Sequence, residues 1–192
     1  DDAGAHGRLG TLYAQQGDRP KAIEYLNRVA EIDPDDQYGL SMLGWLAYLD
    51  ADYSRAADYY QQANSIEPFS TKINYLWGAS LARLGRVAEA DERLQVSLRS
   101  DPKNLEAMRE LIQVKLQRGQ LPSATELAEQ AARLTEHRSV RELMVLAHCH
   151  NSLSHKSIAE DIVQLAITAT GNNPSESAKI RQWCTENGVT CR

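Results

Sequence analysis

The sequence predicts an all-α solenoid, in which a short helical hairpin is repeated about five times and one further helix closes the C-terminal end. Two observations support this prediction. Each 34-residue interval carries two amphipathic stripes at helical spacing. The same step separates prolines and small residues along the first two-thirds of the chain: Pro34, Pro68 and Pro102; Gly10, Gly44 and Gly78; Ala22, Ala56 and Ala90. A fixed period of this length indicates stacked units rather than a single wrapped core.

The first unit, residues 3–36, shows how the repeat forms a hairpin. Gly17 and the following aspartate interrupt the first apolar stripe, and Pro20 suits the first turn of a second helix. Pro34 ends that helix, because the residue before a proline is pushed out of the helical region. The unit is therefore predicted to form two antiparallel helices joined by a tight turn.

Small residues mark the place where the two helices of a unit cross. Gly10 and Ala22 are expected there, because a small side chain allows close approach of the backbones. The larger Leu9, Tyr13 and Leu26 are expected to pack into neighbouring helices. Since one hairpin cannot bury both of its faces, the units must stack.

These residues resemble the tetratricopeptide repeat family in spacing and order. Leu9-Gly10-x-x-Tyr13, Ala22-x-x-x-Leu26 and Pro34 follow the family pattern. The resemblance is strong over residues 3–104 and weaker beyond, where Ile112 replaces the usual small residue. It implies a right-handed α-solenoid. Its expected units are 3–36, 37–70, 71–104, 105–138 and 139–172.

Residues 173–192 are expected to form a C-terminal capping helix and tail. Pro174 suits the first turn, with Asn172 or Asn173 as the cap, and Asn187-Gly188 ends the helix. A terminal helix that covers the last hairpin is what a solenoid needs at its end.

The resemblance also implies that the first helix of each unit lines a concave groove. The groove positions relevant below are Gly4, Gly7, Thr11, Ala14 and Gln15 in the first unit and Arg141, Met144 and His148 in the fifth. The expected partner-binding residues are Tyr38, Trp45, Tyr48, Lys72, Tyr75, Arg83 and Arg109. Aromatic residues and arginine are enriched in binding hot spots, which favours a peptide or helix carrying apolar anchors and carboxylates. In the alternative interpretation, the aromatics pack on adjacent helices and the cations are solvated.

Cys184 and Cys191 flank the end of the last predicted helix, and a chain reversal would let them pair. A disulfide would favour an oxidising, extracytoplasmic compartment over the cytoplasm. The alternative is two ordinary thiols in a cytosolic protein. Cys149 is expected to be buried. His148 and His150, two residues apart on a helix, point in different directions and are not expected to share a metal.

Composition and motifs exclude several classes of function. The net charge of −5 argues against a general nucleic-acid binder, and no apolar run approaches the roughly 20 residues needed to span a bilayer. No nucleophile motif, phosphate loop or metal-ligand spacing occurs, so no enzyme, cofactor or metal is predicted. Because the chain does not begin with Met, it is expected to be a processed product or a fragment.

The function predicted from the sequence is non-catalytic protein binding, as an adaptor or assembly factor in a larger complex. One alternative is a structural scaffold that self-associates into homo-oligomers. A second is an accessory domain of a larger enzyme whose catalytic part lies elsewhere.

Overall fold

The structure is a computed structural model that describes residues 2–171 and 173–191. Those residues form helices and turns and contain no strand. The helices are α1 Ala3–Gln15, α2 Arg19–Ile32, α3 Gln37–Leu49, α4 Tyr53–Ile66, α5 Thr71–Arg83, α6 Val87–Ser100, α7 Leu105–Gln117, α8 Leu121–Leu134, α9 Val140–Ser152, α10 Lys156–Ala169 and α11 Pro174–Asn187. The chain divides into two compact units, Asp1–Ala107 and Met108–Arg192, with the boundary inside α7.

The turn inside each hairpin contains one residue with left-handed backbone geometry. In the first four hairpins this residue recurs at a 34-residue step, at Gly17 (φ 79°), Ala51 (φ 59°), Gly85 (φ 74°) and Gly119 (φ 68°). Glycine reaches this conformation without steric cost, whereas Ala51 adopts it against its preference. The predicted break between the paired helices is therefore confirmed at the level of backbone geometry.

A glycine faces a large side chain where the helices of each of the first three hairpins meet. A β-carbon at Gly10 would lie 2.8 Å from Leu26, and one at Gly78 would lie 2.7 Å from Leu94. At Gly44 it would lie 3.0 Å from the ring of Tyr60. The crossing position thus requires a small residue, as the sequence predicted.

The fourth hairpin reverses this arrangement. Ile112 on α7 and Ala128 on α8 occupy the positions that Gly10 and Leu26 hold in the first hairpin, and both are buried. In this hairpin the large residue lies on the first helix and the small one on the second. The departure of Ile112 from the family pattern is therefore compensated within its own hairpin.

Leu9 differs from its expected role. It was expected to pack into neighbouring helices, but it is 38% exposed, whereas the equivalent Leu43 is 3% exposed. Within the described residues, no hairpin lies against the outer face of α1. Leu12 is also exposed on this helix.

Helix α11 covers apolar surface in the unit Met108–Arg192. Its Ile180 and Cys184, together with Val189 in the tail, belong to a core shared with α7 to α10. The Asn173 side chain caps the helix by accepting from the backbone of Ser175 and Glu176, while Asn172 lies outside the described residues.

The tail after α11 folds back onto that helix. Gly188 reverses the chain with φ 64°, and Cys191 then reaches Cys184 at disulfide-bonding distance, with their Cα atoms 6.2 Å apart. The oxidising compartment that such a bond would imply remains a prediction.

We expect non-reducing peptide mapping of the protein isolated from its native compartment to recover Cys184 and Cys191 as one linked pair. Closing a loop of this sequence separation, seven residues, stabilises a chain by about 2–3 kcal/mol in the loop-entropy model. Cys191→Ser should lower the stability of the α11 region accordingly, as measured by denaturant unfolding. Recovery of both residues as free thiols would contradict the disulfide and the extracytoplasmic location.

Candidate functional site

The first helices of successive hairpins lie side by side in the unit Asp1–Ala107, where α1 contacts α3 and α3 contacts α5. A cavity of about 520 Å³ opens at the α1 end of this surface. Five of the predicted groove positions line it: Gly4, Gly7, Thr11, Gln15 and Tyr38. We call it the α1 cavity.

Two glycines of α1, Gly4 and Gly7, line the α1 cavity. Gly4 and Gly7 lie within a helix, where each glycine costs about 1 kcal/mol relative to alanine. Unlike Gly10, Gly7 has space for a side chain, since a β-carbon there would approach nothing closer than 3.8 Å, at Val29. The fold therefore does not require a glycine at this position, and its effect is to leave the cavity open.

The walls of the α1 cavity are mainly apolar with a polar pair between helices. The hydroxyls of Thr11 on α1 and Tyr38 on α3 lie 3.0 Å apart. Tyr38 is 49% exposed, so its ring is accessible beside the cavity. Arg8 contributes a charge at the edge and lies 3.8 Å from the exposed carboxylate of Asp2. This arrangement can receive an apolar side chain and offers hydrogen-bonding groups around it.

The other predicted aromatics are partly built into the core. Trp45 packs against a cluster that contains Leu26 and Leu46. Tyr48 stands edge-on to Tyr53, with ring centroids 5.3 Å apart. Tyr75 is half-buried. These three residues support the groove wall, and they present less free surface than Tyr38.

Tyr48 and Tyr75 converge near the buried Tyr60. Burial first, and then the neighbouring hydroxyls of Tyr48 and Tyr75, raise the pKa of Tyr60. The Tyr60 hydroxyl has no hydrogen-bond partner within the described part of the chain. Two of the predicted partner-binding residues, Tyr48 and Tyr75, thus lie near the core residue Tyr60.

Lys72 and Arg83 are exposed on α5. They are 11 residues apart, and at 3.6 residues per turn this spacing places them on the same face of the helix. Arg83 also occupies the last turn, where a cation interacts favourably with the helix dipole.

Arg109 has a different environment. Its Nε donates to the Oε1 of Glu142 at 2.6 Å, and the Glu142 side chain is only 2% exposed. Arg109 was predicted to bind a partner, but in the structure its guanidinium neutralises this buried carboxylate. Burial alone would raise the pKa of Glu142, but hydrogen bonds from Arg109 and Ser139 hold it below its ordinary value.

Glu142 was missed in the sequence analysis. The sequence does contain an indication that Glu142 has a structural partner. Ser139 is the N-cap of α9 and Glu142 follows three residues later, which is the spacing of a capping box. In the structure the Ser139 hydroxyl donates to the Glu142 carboxylate.

The histidines and the third cysteine form no three-residue metal site. No group of three potential metal-ligating side chains occurs among the described residues. His148 contacts the ring of Trp183, while the Nδ1 atoms of His150 and His155 lie 3.4 Å apart. Cys149 is buried as predicted, and burial raises the pKa of its thiol to about 11. At neutral pH this thiol is protonated and a poor nucleophile.

Comparison with known proteins identifies the class to which these hairpins belong. Tetratricopeptide repeat models match residues 3–36 and 75–138, together about half of the chain. The chain belongs to the tetratricopeptide repeat family. This fold supports a role as a protein-interaction module.

Two solved structures have a fold similar to that of this chain. A MamA structure (residues 41 to the end) from Desulfovibrio magneticus RS-1 superposes with a TM-score of 0.84 at 18% identity, covering 91% of this chain and 98% of that one. YrrB, described as a tetratricopeptide repeat protein with an unusual peptide-binding site, superposes with a TM-score of 0.82 at 14% identity, covering 94% and 92% of the two chains.

One curated protein is similar in sequence to this chain over about half of the chain's length. The transcriptional regulator HilA of Salmonella typhimurium is 28% identical over 91 residues, which is 47% of this chain and 16% of the length of HilA. None of the helices in residues 2–171 and 173–191 is both long enough and apolar enough to cross a bilayer.

Replacing Arg109 with methionine should destabilise the protein by about 2–3 kcal/mol, because it leaves the Glu142 carboxylate buried without its counter-ion. This figure is below the usual cost for a fully buried pair, since Arg109 is itself a quarter exposed. Urea denaturation measures the loss. Adding Glu142→Gln should recover part of it.

The destabilisation caused by Arg109→Met should depend on pH, and the direction follows from the pKa of Glu142. In the unsubstituted protein the lowered pKa of Glu142 contributes stability above its ordinary value of 4.5, and this contribution is lost as the pH falls through the folded-state pKa. In Arg109→Met the buried carboxylate should instead take up a proton more readily. The destabilisation should therefore be greater at pH 7 than at pH 5. An equal loss at both pH values would contradict the assigned role of Arg109.

Proposed function

We propose that this chain is a non-catalytic adaptor or assembly factor that binds a peptide or helix of a partner protein along α1, α3 and α5. The observation that carries the proposal is the α1 cavity. Five first-helix positions predicted to face a ligand line this one open cavity, and Gly7 keeps it open although packing does not require a glycine there.

Tyr38 is the proposed aromatic contact. It is half exposed, it lies at the junction of α1 and α3, and its hydroxyl is already oriented by Thr11. A tyrosine held in this way offers a large apolar area at a low cost in side-chain entropy. Trp45, Tyr48 and Tyr75 extend the surface and hold its shape.

Lys72 and Arg83 are the proposed charged contacts for an acidic or carboxylate-bearing partner. Both are exposed on one face of α5. Exposed charges contribute more to association rate and selectivity than to affinity, and their effect decreases with salt. Apolar contact at the α1 cavity should therefore dominate the affinity.

The proposal is tested with peptides selected from a random library by their binding to the unsubstituted protein. Tyr38→Ala should weaken their binding about tenfold, because truncating a central aromatic anchor commonly costs 1–2 kcal/mol or more. Gly7→Leu should weaken binding as strongly, because it fills the α1 cavity at a position where the backbone has room. Lys72→Gln and Arg83→Gln should weaken binding less, and mainly at low salt. Fluorescence anisotropy measures each dissociation constant.

Phe69→Ala is the matched control, since Phe69 is an aromatic residue that is 78% exposed in the turn after α4 and does not line the α1 cavity. The Phe69→Ala variant should bind the selected peptides with the same dissociation constant as the unsubstituted protein. If Phe69→Ala abolished binding while Tyr38→Ala and Gly7→Leu left it unchanged, the ligand would bind at the outer turns and the groove proposal would be wrong.

Self-association is a second candidate, favoured by the exposed Leu9 and Leu12 on α1. Two copies could bury these leucines against each other. Sedimentation equilibrium distinguishes the candidates. A mass that rises with concentration, and returns to the monomer value in Leu12→Gln, would favour a self-associating scaffold.

A further inference from the structure

Two histidine rings meet in the turn between α9 and α10. The Nδ1 atoms of His150 and His155 lie 3.4 Å apart, and the ring centroids are separated by 5.7 Å. His150 is only 9% exposed, whereas His155 is exposed, so the pair is open to solvent on the side of His155. The groove function proposed above uses neither residue.

The backbone of this turn holds the two residues next to each other. The backbone N–H of His155 donates to the carbonyl of His150 at 2.9 Å, and Ser154 has a left-handed φ of 63°. This is the six-to-one hydrogen bond of a Schellman helix ending. A bond of the same length closes the other four hairpins, from Asp18 to Tyr13, Asp52 to Ala47, Arg86 to Leu81 and Gln120 to Lys115. The repeat therefore brings the same two positions together in every hairpin, and in the fifth hairpin both hold a histidine.

The distance between the two ring nitrogens matches one edge of a tetrahedral zinc site. Zn²⁺ binds histidine nitrogens at about 2.0–2.1 Å, and two ligands at the tetrahedral angle are then about 3.3–3.4 Å apart. Hydrogen bonds from N–H groups in proteins are typically about 2.7–3.2 Å long. The observed 3.4 Å is therefore long for a hydrogen bond between the rings, and it fits two ligands of one metal ion.

Glu129 on α8 favours the tautomer that such a site needs. The Nε2 of His150 lies 3.8 Å from Oε1 of Glu129, while Arg133 lies 3.5 Å from the other carboxylate oxygen. The carboxylate attracts a proton to Nε2, which leaves the lone pair on Nδ1, the nitrogen beside His155. A carboxylate behind a metal-bound histidine commonly orients the ring and makes it a better ligand.

We propose that His150 and His155 bind one Zn²⁺ ion through their Nδ1 atoms, with water in the remaining coordination positions and Glu129 orienting His150. Imidazole is a suitable ligand for Zn²⁺, whereas Mg²⁺ prefers oxygen ligands. The ion would fasten the end of α9 to the start of α10. A site with two protein ligands keeps open positions, unlike the closed four-ligand sites that hold small folds together. This site is separate from the α1 cavity and goes beyond the groove function.

Isothermal titration calorimetry of the complete, untagged chain with ZnCl₂ tests the proposal. Reducing agent is left out, so that Cys184 and Cys191 stay paired and supply no competing thiolates. We expect one Zn²⁺ ion to bind per chain, and MgCl₂ at the same concentration to give no binding. Long-range proton–nitrogen NMR of the histidine rings should show the Nδ1 signals of both His150 and His155 moving when Zn²⁺ is added.

Substitutions assign the ligands. Glu129→Gln should weaken Zn²⁺ binding about tenfold, the lower end of the range for removing a partner that orients a ligand. His155→Ala should weaken it at least as much, because it removes a ligand itself. His155 is exposed and its side chain does not cap α10, so this variant should keep its fold. His150→Ala should have the same effect on binding, with its folding checked by urea denaturation.

His137→Ala is the matched control, since His137 is an exposed histidine in the turn after α8. It should bind Zn²⁺ with the affinity of the unsubstituted chain. Tyr38→Ala should also leave Zn²⁺ binding unchanged, which separates failure of this site from failure of the groove.

Four results would overturn the proposal. The unsubstituted chain could fail to bind Zn²⁺, or His155→Ala could bind it as tightly as the unsubstituted chain. Movement of the Nδ1 signal in only one of the two rings would show that the rings do not share an ion. Equal binding of Mg²⁺ would identify an unspecific attraction of cations to Glu129.

Discussion

In the first three hairpins the two helices meet at a pair of residues sixteen apart, and the rest of the stack depends on how this pair shares its space. In the first three hairpins a glycine on the first helix meets Leu26, Tyr60 or Leu94 on the second. In the fourth, the equivalent positions hold Ile112 on the first helix and Ala128 on the second, and both belong to one buried core cluster. Interiors are packed to the density of organic crystals, so two large residues would separate the helices and two small ones would leave a void. What is preserved is the combined volume, while its distribution between the helices varies.

This constraint determines which surfaces remain available for binding. The pair of residues at each helix crossing uses one face of the first helix for contacts inside its own hairpin. In the unit Asp1–Ala107, the remaining surface of α1 and α3 forms the α1 cavity, with Gly7 leaving space and Tyr38 exposed beside it. In the unit Met108–Arg192, residues of α9 and α11 together line a second cavity of about 400 Å³. The repeat therefore supplies the scaffold, and residues outside the repeat pattern supply the candidate binding chemistry.

The repeat step predicted the hairpins and their crossing residues because these depend on contacts inside a single hairpin, between residues sixteen apart. The environments of Leu9 and Arg109 were not predicted, for a common reason. The exposure of Leu9 depends on whether another hairpin covers α1, and the pairing of Arg109 depends on Glu142, 33 residues away. Periodicity assigns a residue to a helix face but does not identify the side chain that meets it. The α1 cavity was only partly predictable, because groove positions follow from the pattern, whereas the space in the cavity depends on individual residues, such as the lack of a side chain at Gly7.

A double-mutant cycle at Gly78 and Leu94 tests the crossing-pair constraint most directly, because an added β-carbon at Gly78 would lie only 2.7 Å from Leu94. In the unsubstituted chain, we expect Gly78→Ala to lower the free energy of unfolding, since overpacking typically costs about 1–3 kcal/mol and outweighs the gain in helix propensity. In a Leu94→Ala background the clash with the Leu94 side chain is absent and only a 3.2 Å approach to the backbone nitrogen of residue 94 remains. The same substitution should then raise the free energy of unfolding, by less than the full gain in helix propensity of about 1 kcal/mol. Denaturant unfolding of the four proteins gives the coupling energy. A change of sign between the two backgrounds would support the account, and additive effects would contradict it.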